Sequence, residues 1–312
     1  MPLYTNLDGT TPDKNLSDIL KWQIVDRVTG KRKRANVPFE TPFVKNDGKE
    51  LASMDPRLTW IGHATFVMRL GGKLIATDPI WSNRIHGAVP RLVQPGVAFE
   101  DVPPLDVVTV SHAHFDHLDM PSLKRIGNKT LFVVPKDNAD LLKSAGLTNV
   151  VELGWWESHT VDGLTVTLVP AQHWSMRMPW DRNKRLWGGF LYQSSEGVAY
   201  HAGDTAMSDV VFQQIHDKGP RIDWAMLPIG AYDPQWFMQP QHMGPEEAVR
   251  AYELLGAKHF FAMHWGTFKL TDEPLGEPPE RLRTCWREKQ LPEAQMTILD
   301  IGSSRALQHS TP

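Results

Sequence analysis

Three histidines and an aspartate stand at short, fixed offsets in the run Ser111-His112-Ala113-His114-Phe115-Asp116-His117. Imidazole nitrogens and carboxylate oxygens are donors that divalent first-row metals accept. Alternating His112 and His114, just beyond a strand, project to one side, and Asp116 and His117 then turn towards a neighbouring position. With His173, Asp204 and His264 further along the chain, there are more donors than one tetrahedral ion can use, so the pattern reads as two adjacent metal sites. Two cations held about 3.5–4 Å apart lower the pKa of water from about 15.7 to about 7 and neutralise charge that grows on a substrate oxygen. That chemistry needs no protein nucleophile, and Ser111 is read as a loop hydrogen-bonder.

The elements that must position these groups recur along the chain. Leu58 to Leu70 and Leu74 to Thr77 read as paired strands across the turn Gly71-Gly72. Apolar runs of strand length follow, each leading to a polar residue: Val107 to Val110 to His112, Leu164 to Val169 to His173, and Val198 to Tyr200 to Asp204. Trp224 to Leu227 leads to Tyr232 and Asp233, and Phe260 to Met263 to His264. Between them, Asn138 can cap a helix that runs to Gly146, and Pro245 and Gly256 bracket another. Alternating strands and helices define an α/β class. Loops at strand ends are where residues distant in sequence meet.

Bulk properties narrow the partners. The chain has 312 residues and a formal net charge of -3, and its longest basic run is Lys31-Arg32-Lys33-Arg34. No phosphate-backbone footprint is present, so nucleic acid is not an expected partner. The single cysteine, Cys285, excludes an internal disulfide and reads as a small buried hydrophobe. The start Met1-Pro2-Leu3-Tyr4 has no basic, apolar leader, and no apolar run approaches transmembrane length, which leads to the expectation of a cytoplasmic protein, at most peripheral to a membrane. Residues 1–50 are expected to form an irregular arm packed on a single domain spanning 51–312.

Other residues have weaker signals. Asp78 ends a strand beside Pro79, where a carboxylate can orient a metal-bound histidine or cap the turn. His63 lies in the break Gly62-His63-Ala64, facing the site or held in the core. Two segments, Trp174-Ser175-Met176-Arg177-Met178-Pro179-Trp180 and Gln235-Trp236-Phe237-Met238, are rich in Trp and Met and lack clean periodicity. They read either as core or as an apolar mouth for acyl chains, with Arg177, Arg182 and Lys184 placed to hold a phosphate.

The chain resembles the metallo-β-lactamase superfamily in the H-x-H-x-D-H run and the isolated His, Asp and His that follow it. Within that superfamily it looks like the N-acylphosphatidylethanolamine-hydrolysing phospholipase D group. The likeness extends from Thr59 to Pro279 through TWIGHATF (Thr59 to Phe66), TDPIWSNR (Thr77 to Arg84), SHAHFDHLD (Ser111 to Asp119) and PAQHWSMR (Pro170 to Arg177). It continues in AGDT (Ala202 to Thr205), LPIGAYDPQWFM (Leu227 to Met238), QHMGPEEAV (Gln241 to Val249) and MHWGTF (Met263 to Phe268). The first metal motif marks only the superfamily, whereas PAQHW, IGAY-x-P-x-W-F-M and HWGTF are more specific. Phe115 stands where the vertebrate enzymes have tyrosine, and the N-terminal arm differs.

The resemblance implies an αββα sandwich and a ligand allocation. His112, His114 and His173 would bind one zinc, Asp116, His117 and His264 the other, and Asp204 would bridge them. It implies two Zn²⁺ per chain, although the donor types also suit Fe or Mn. It places Asp116, Asp204 and His242 in catalysis, with Asp78 and His63 behind the ligands. Trp174, Met176, Arg177, Trp180, Trp236, Phe237, Gln241 and His242 would lie near the substrate. The expected reaction is hydrolysis of a small or lipid phosphodiester, releasing N-acylethanolamine and phosphatidic acid in the family's case. Peripheral membrane contact and a homodimer are compatible with it. A lactonase would use the same donors, and only the substrate pocket separates the two. A non-enzymatic metal-binding protein is disfavoured by retention of every expected ligand.

Overall fold

The computed structural model describes residues 4–12, 16–30 and 38–307. In chain order the strands of the first half are β1 (Arg57–Gly62), β2 (Thr65–Leu70), β3 (Lys73–Thr77), β4 (Arg84–Ile85), β5 (Val89–Pro90), β6 (Val107–Thr109), β7 (Leu131–Pro135) and β8 (Val150–Leu153). The second half supplies β9 (Ser158–Val161), β10 (Leu164–Val169), β11 (Gly189–Ser194), β12 (Gly197–His201), β13 (Trp224–Pro228), β14 (His259–Met263), β15 (Met296–Thr297) and β16 (Ser304–Ala306). They form two seven-stranded sheets, ordered β16-β1-β2-β3-β6-β7-β8 and β15-β14-β13-β12-β11-β10-β9, and the small hairpin β4-β5. The first sheet is therefore drawn from the N-terminal half and closed by the C-terminal strand, which pairs antiparallel with β1.

Side-chain alternation builds the layers. Leu58 and Trp60 of β1, Phe66 and Met68 of β2, and Val133 of β7 face the second sheet in one large core. Their strand neighbours Ile61, Val67, Phe132 and Val134 face the other way, beneath Leu123 and Leu142. Those two leucines belong to the helices Met120–Ile126 and Ala139–Ser144. The second sheet is covered by helices Asp209–Lys218, Pro245–Leu255 and Glu277–Glu288, whose Phe212, Val249, Tyr252 and Trp286 are buried on it. Helix, sheet, sheet, helix is the αββα sandwich. Strands read as fully apolar runs are those with both faces covered.

Local signals account for the boundaries. Gly71 and Gly72 both have positive φ, as a two-residue hairpin between β2 and β3 requires. Pro245 opens its helix and Gly256, at φ 60°, ends it. Asn138 precedes its helix but makes no capping bond. Its side-chain amide instead donates to the carbonyls of Pro135, Lys136 and Leu186. Cys285 is buried on helix Glu277–Glu288, and burial raises its thiol pKa. The arm is not irregular throughout: residues 16–28 are helical, with a π turn over Lys21–Val25. Trp22 fixes this helix, packing its ring 5.0 Å from that of Phe237 and donating to Asp272 at 2.6 Å. The basic run Lys31 to Arg34 lies outside the described residues.

Candidate metal centre

The site is built where strands of both sheets end. From the first sheet, β1 delivers His63, β3 delivers Asp78, and β6 delivers the run from Ser111 to His117. From the second, β10 leads to His173, β12 to Asp204 and β14 to His264. Three of these residues, His63, Asp78 and His264, have left-handed backbones at φ 55°, 37° and 62°. Non-glycine residues in that region are uncommon and turn the chain sharply at the strand end.

Two donor groups form. His112 Nε2 lies 2.7 Å from His114 Nδ1, and His173 Nε2 lies 3.3 Å from the same atom. Asp204 Oδ2 stands 3.9 Å from both His112 Nε2 and His173 Nε2. On the other side Asp116 Oδ2 faces His63 Nε2 at 3.1 Å, His117 Nε2 at 3.6 Å and His264 Nε2 at 4.0 Å. Asp204 belongs to both groups: Oδ2 is 3.1 Å from His117 Nε2 and Oδ1 is 3.1 Å from His264 Nε2. The donor atoms of His112, His114, His173 and Asp204 lie within 4.8 Å of one another, as do those of His63, Asp116, His117 and His264, and a third set of the same span joins Asp204 to His242 and His264.

The residues behind the donors fix which nitrogen is free. His117 Nδ1 contacts Asp78 Oδ2 at 2.8 Å. Asp78 also accepts from the Ser111 amide (2.6 Å) and hydroxyl (2.7 Å). With its proton given to Asp78, the Ser111 hydroxyl accepts from His112 Nδ1 at 2.9 Å. His173 Nδ1 donates to the Gln241 carbonyl at 2.7 Å. Each ring thus commits Nδ1 to the partner behind it and leaves Nε2 facing the centre, an arrangement common to metal-binding histidines.

A cation fits this donor set. His117 Nε2, His264 Nε2, Asp204 Oδ1 and His242 Nδ1 are buried without a hydrogen-bond partner. Each such atom costs about 1–3 kcal/mol if left unsatisfied, and all four converge on one space. Protonation states agree. Burial holds His114 down to about 4, and His173 and His242 down to about 3, so these rings are neutral. Burial would raise Asp204, but His117, His264 and His242 outweigh it and keep it well below the carboxylate range. Burial would lower His117, but Asp204, Asp116 and Asp78 hold it well above the usual imidazole value. The centre therefore draws one proton onto His117 where a metal's positive charge would otherwise stand.

A model of the β-lactamase superfamily domain matches residues 74–265, more than half of the chain. The chain belongs to the metallo-β-lactamase superfamily. Its similarity is strong to N-acyl-phosphatidylethanolamine-hydrolyzing phospholipase D 1 of Caenorhabditis elegans, 36% identical over 78% of this chain and 74% of that one. A UPF0173 metal-dependent hydrolase of Methanopyrus kandleri is 31% identical over 80% of this chain and 98% of its own. Among solved structures, Igni18, a metallo hydrolase of Ignicoccus hospitalis, superposes with a TM-score of 0.63 at 22% identity, covering 82% of this chain and 99% of its own, and supports the fold. Membership and the two donor clusters make the chain a metal-dependent hydrolase of the metallo-β-lactamase fold.

The structure gathers all seven residues assigned to metals by resemblance to the superfamily. It also brings His63 closer than expected, as a fourth donor beside Asp116 rather than behind the ligands. The Gly62-His63-Ala64 break was the available signal: strand pairing shifts register there, and the His63 amide is held by Thr267 Oγ1 at 2.7 Å. His242 stands 3.9 Å from Asp204 Oδ2, at the centre's edge.

The residues assigned to substrate divide. Trp180 is 68% exposed, Met178 40% and Trp236 36%, so these form surface. Trp174 is half-buried with its ring 4.5 Å from that of His114, and Met176 is half-buried. Phe237 is buried against Trp22 and is core. Gln241 is buried and serves His173 through its carbonyl, with its side chain turned to Met238. Arg177 is half-buried; its Nη1 donates to the carbonyls of Leu118 (2.7 Å) and Ala113 (3.2 Å), and its guanidinium lies 3.9 Å over the Phe115 ring. It braces the His112–His117 loop. Arg182 lies over Trp174 and donates to the Pro12 carbonyl.

Proposed function

We propose that the protein is a two-zinc phosphodiesterase of phospholipase D type, hydrolysing N-acylphosphatidylethanolamine to N-acylethanolamine and phosphatidic acid. The observation that carries this reading is Asp204, one carboxylate shared by two His-rich donor groups. His112, His114, His173 and Asp204 would hold one ion, and Asp116, His117, His264 and Asp204 the other, with His63 beside them. Two zinc ions so placed would supply Lewis acidity towards a phosphoryl group and lower the pKa of water to about 7.

The chain's own residues do the rest. Asp116 and Asp204 stay ionised and set the charge of the site. Asp78 and Ser111 keep His117 and His112 in the correct tautomers. Both hydrogen bonds of the Ser111 hydroxyl are spent on Asp78 and His112, which removes it as a nucleophile. His242, neutral and at the rim of the centre, is placed to donate a hydrogen bond to a phosphate oxygen, its Nδ1 having no protein partner. Exposed Trp180, Met178 and Trp236 give the surrounding surface an apolar character suited to acyl chains and to the edge of a membrane. Helix 16–28 adds exposed Ile24 and Val28, and among the described residues no helix is long and apolar enough to cross a membrane. Support for the substrate comes from the worm relative and from the mitochondrial N-acyl-phosphatidylethanolamine-hydrolyzing phospholipase D of Saccharomyces cerevisiae, 37% identical over 89% of this chain and 59% of that one.

The deciding experiment compares hydrolysis of a glycerophospholipid diester, a soluble aryl phosphodiester and an acyl-homoserine lactone by the zinc-loaded protein. Preference for the lipid diester is expected. Faster turnover of the lactone than of either diester would assign the site to lactone hydrolysis instead.

A further inference from the structure

Residues 4–12 precede the superfamily domain in sequence, yet among the described residues six of the seven hydrogen bonds they make beyond themselves are with the 172–187 segment that carries His173. Asn6 is buried, and its carbonyl oxygen accepts from the His173 amide at 3.0 Å and from Trp187 Nε1 at 3.2 Å. Gln172, the residue before His173, donates through its side-chain amide to Asp8 Oδ2 (2.9 Å) and Thr10 Oγ1 (3.1 Å). The Tyr4 amide donates to the Asn183 carbonyl, and Arg182 donates to the Pro12 carbonyl. Beyond that segment, the Tyr4 hydroxyl donates to Asp137 at 2.6 Å. A local turn closes the strap, with the Asn6 amide on the Thr10 carbonyl and the Gly9 amide on that of Asn6.

We infer that this strap is a working part of the metal centre and that Asn6 is a positioning residue for His173. His173 is held at two points, neither within its own loop: its backbone by Asn6 and its ring by the Gln241 carbonyl. Together they aim Nε2 at His114 and Asp204. The orientation of the Asn6 amide is determined, because a flipped group would set its NH₂ against two N–H donors. Its Nδ2 is buried and has no partner. An apolar side chain there would avoid that penalty, so the carbonyl oxygen is what makes asparagine the fitting residue. Trp187 Nε1 has a second acceptor in the Ala171 carbonyl at 3.0 Å, which leaves the His173 amide as the group that depends on Asn6.

This inference rests on the two-metal reading above, and the test separates them. Zinc binding is followed on purified, metal-free protein by titration against a chromophoric chelator, which resolves a tighter and a weaker site. Wild-type protein that fails to take two ions would count against the metal reading, not against Asn6. Given two ions, Asn6→Ala should weaken one site about 10–100-fold, the range for a group that supports a ligand, and leave the other unchanged. Asn6→Asp, which keeps an acceptor of the same shape, should recover most of that loss. Asp8→Ala loosens the strap from the surface, guards against a folding failure of Asn6→Ala, and should weaken the same site by less. Tyr4→Phe, which frees the end anchored to Asp137, should leave both sites unchanged. Equal weakening of both sites, or unchanged affinities in Asn6→Ala and Asp8→Ala despite lower thermal stability, would reduce the strap to packing and overturn the proposal.

Discussion

The amide of His264 donates to the carbonyl of His63 at 3.0 Å, and the two imidazole rings lie with centroids 4.0 Å apart. One residue leaves β1 and the other leaves β14, so this pair ties the ends of two different sheets. Both take left-handed backbones, and each depends on the other for its place. A substitution at His63 therefore reaches the candidate ligand His264 directly. His63→Ala should lower zinc affinity of the Asp116 side about 10–100-fold and reduce turnover similarly, checked by chelator competition and steady-state kinetics. Unaltered affinity would return His63 to a role in the core.

Asp204→Ala removes the one carboxylate common to both donor groups. Elemental analysis should find fewer than two metals per chain, and activity should fall at least about 10²-fold. A variant that keeps two ions and near-normal turnover would show that Asp204 does not bridge.

Acid should destabilise the metal-free protein before its carboxylates titrate. His63, His173 and His242 are held by burial at about 3 and His114 at about 4, against 6.5 for an ordinary imidazole. Below 6.5 the unfolded chain takes up protons that the folded chain refuses, so stability falls from about pH 6.5 towards about pH 4. His117, raised instead, acts in the opposite sense and loses its contribution as pH rises through its folded value. Burial also lowers His112, His201 and His259, and seven groups against one leave a net fall on acidification. Thermal unfolding of chelator-treated protein between pH 7 and pH 4 measures it, and a midpoint that stays level or rises would contradict the neutral assignment of these rings.

Arg177→Met should destabilise the protein by about 1–3 kcal/mol, because the Ala113 and Leu118 carbonyls lose their donor. Denaturant unfolding measures the change. Loss of lipid turnover at unchanged stability would instead restore Arg177 as a substrate contact.

Trp180→Ser, at a largely exposed position, should change stability by less than about 0.5 kcal/mol. It should weaken hydrolysis of long-chain lipid diesters while leaving a small aryl phosphodiester nearly untouched. Equal losses on both substrates would remove the surface around Trp180 from substrate access.

The sequence made the donors legible because metal binding demands particular side chains at strand ends, and apolar runs of strand length mark those ends. His112, His114, His173, Asp204 and His264 were readable on that ground. The place of His63 was harder, since it follows from a register shift between Trp60 and Gly62 that brings the chain back towards β14. For Arg177 charge and neighbourhood suggest a phosphate, and only the fold shows that its Nη1 also braces two backbone carbonyls of the 112–117 loop and its end. Asn6 carries no local signal at all. Its partners lie more than a hundred and sixty residues away, and only the packed fold brings them together.

The two sheets contribute unlike halves of the donor set, His63 and the 112–117 run from one and His173, Asp204 and His264 from the other. Neither sheet alone can assemble a complete coordination shell. Captured ions would then act as rivets across the sandwich, set only after the halves have docked, and a cell short of the metal would accumulate chains that are folded but unfastened.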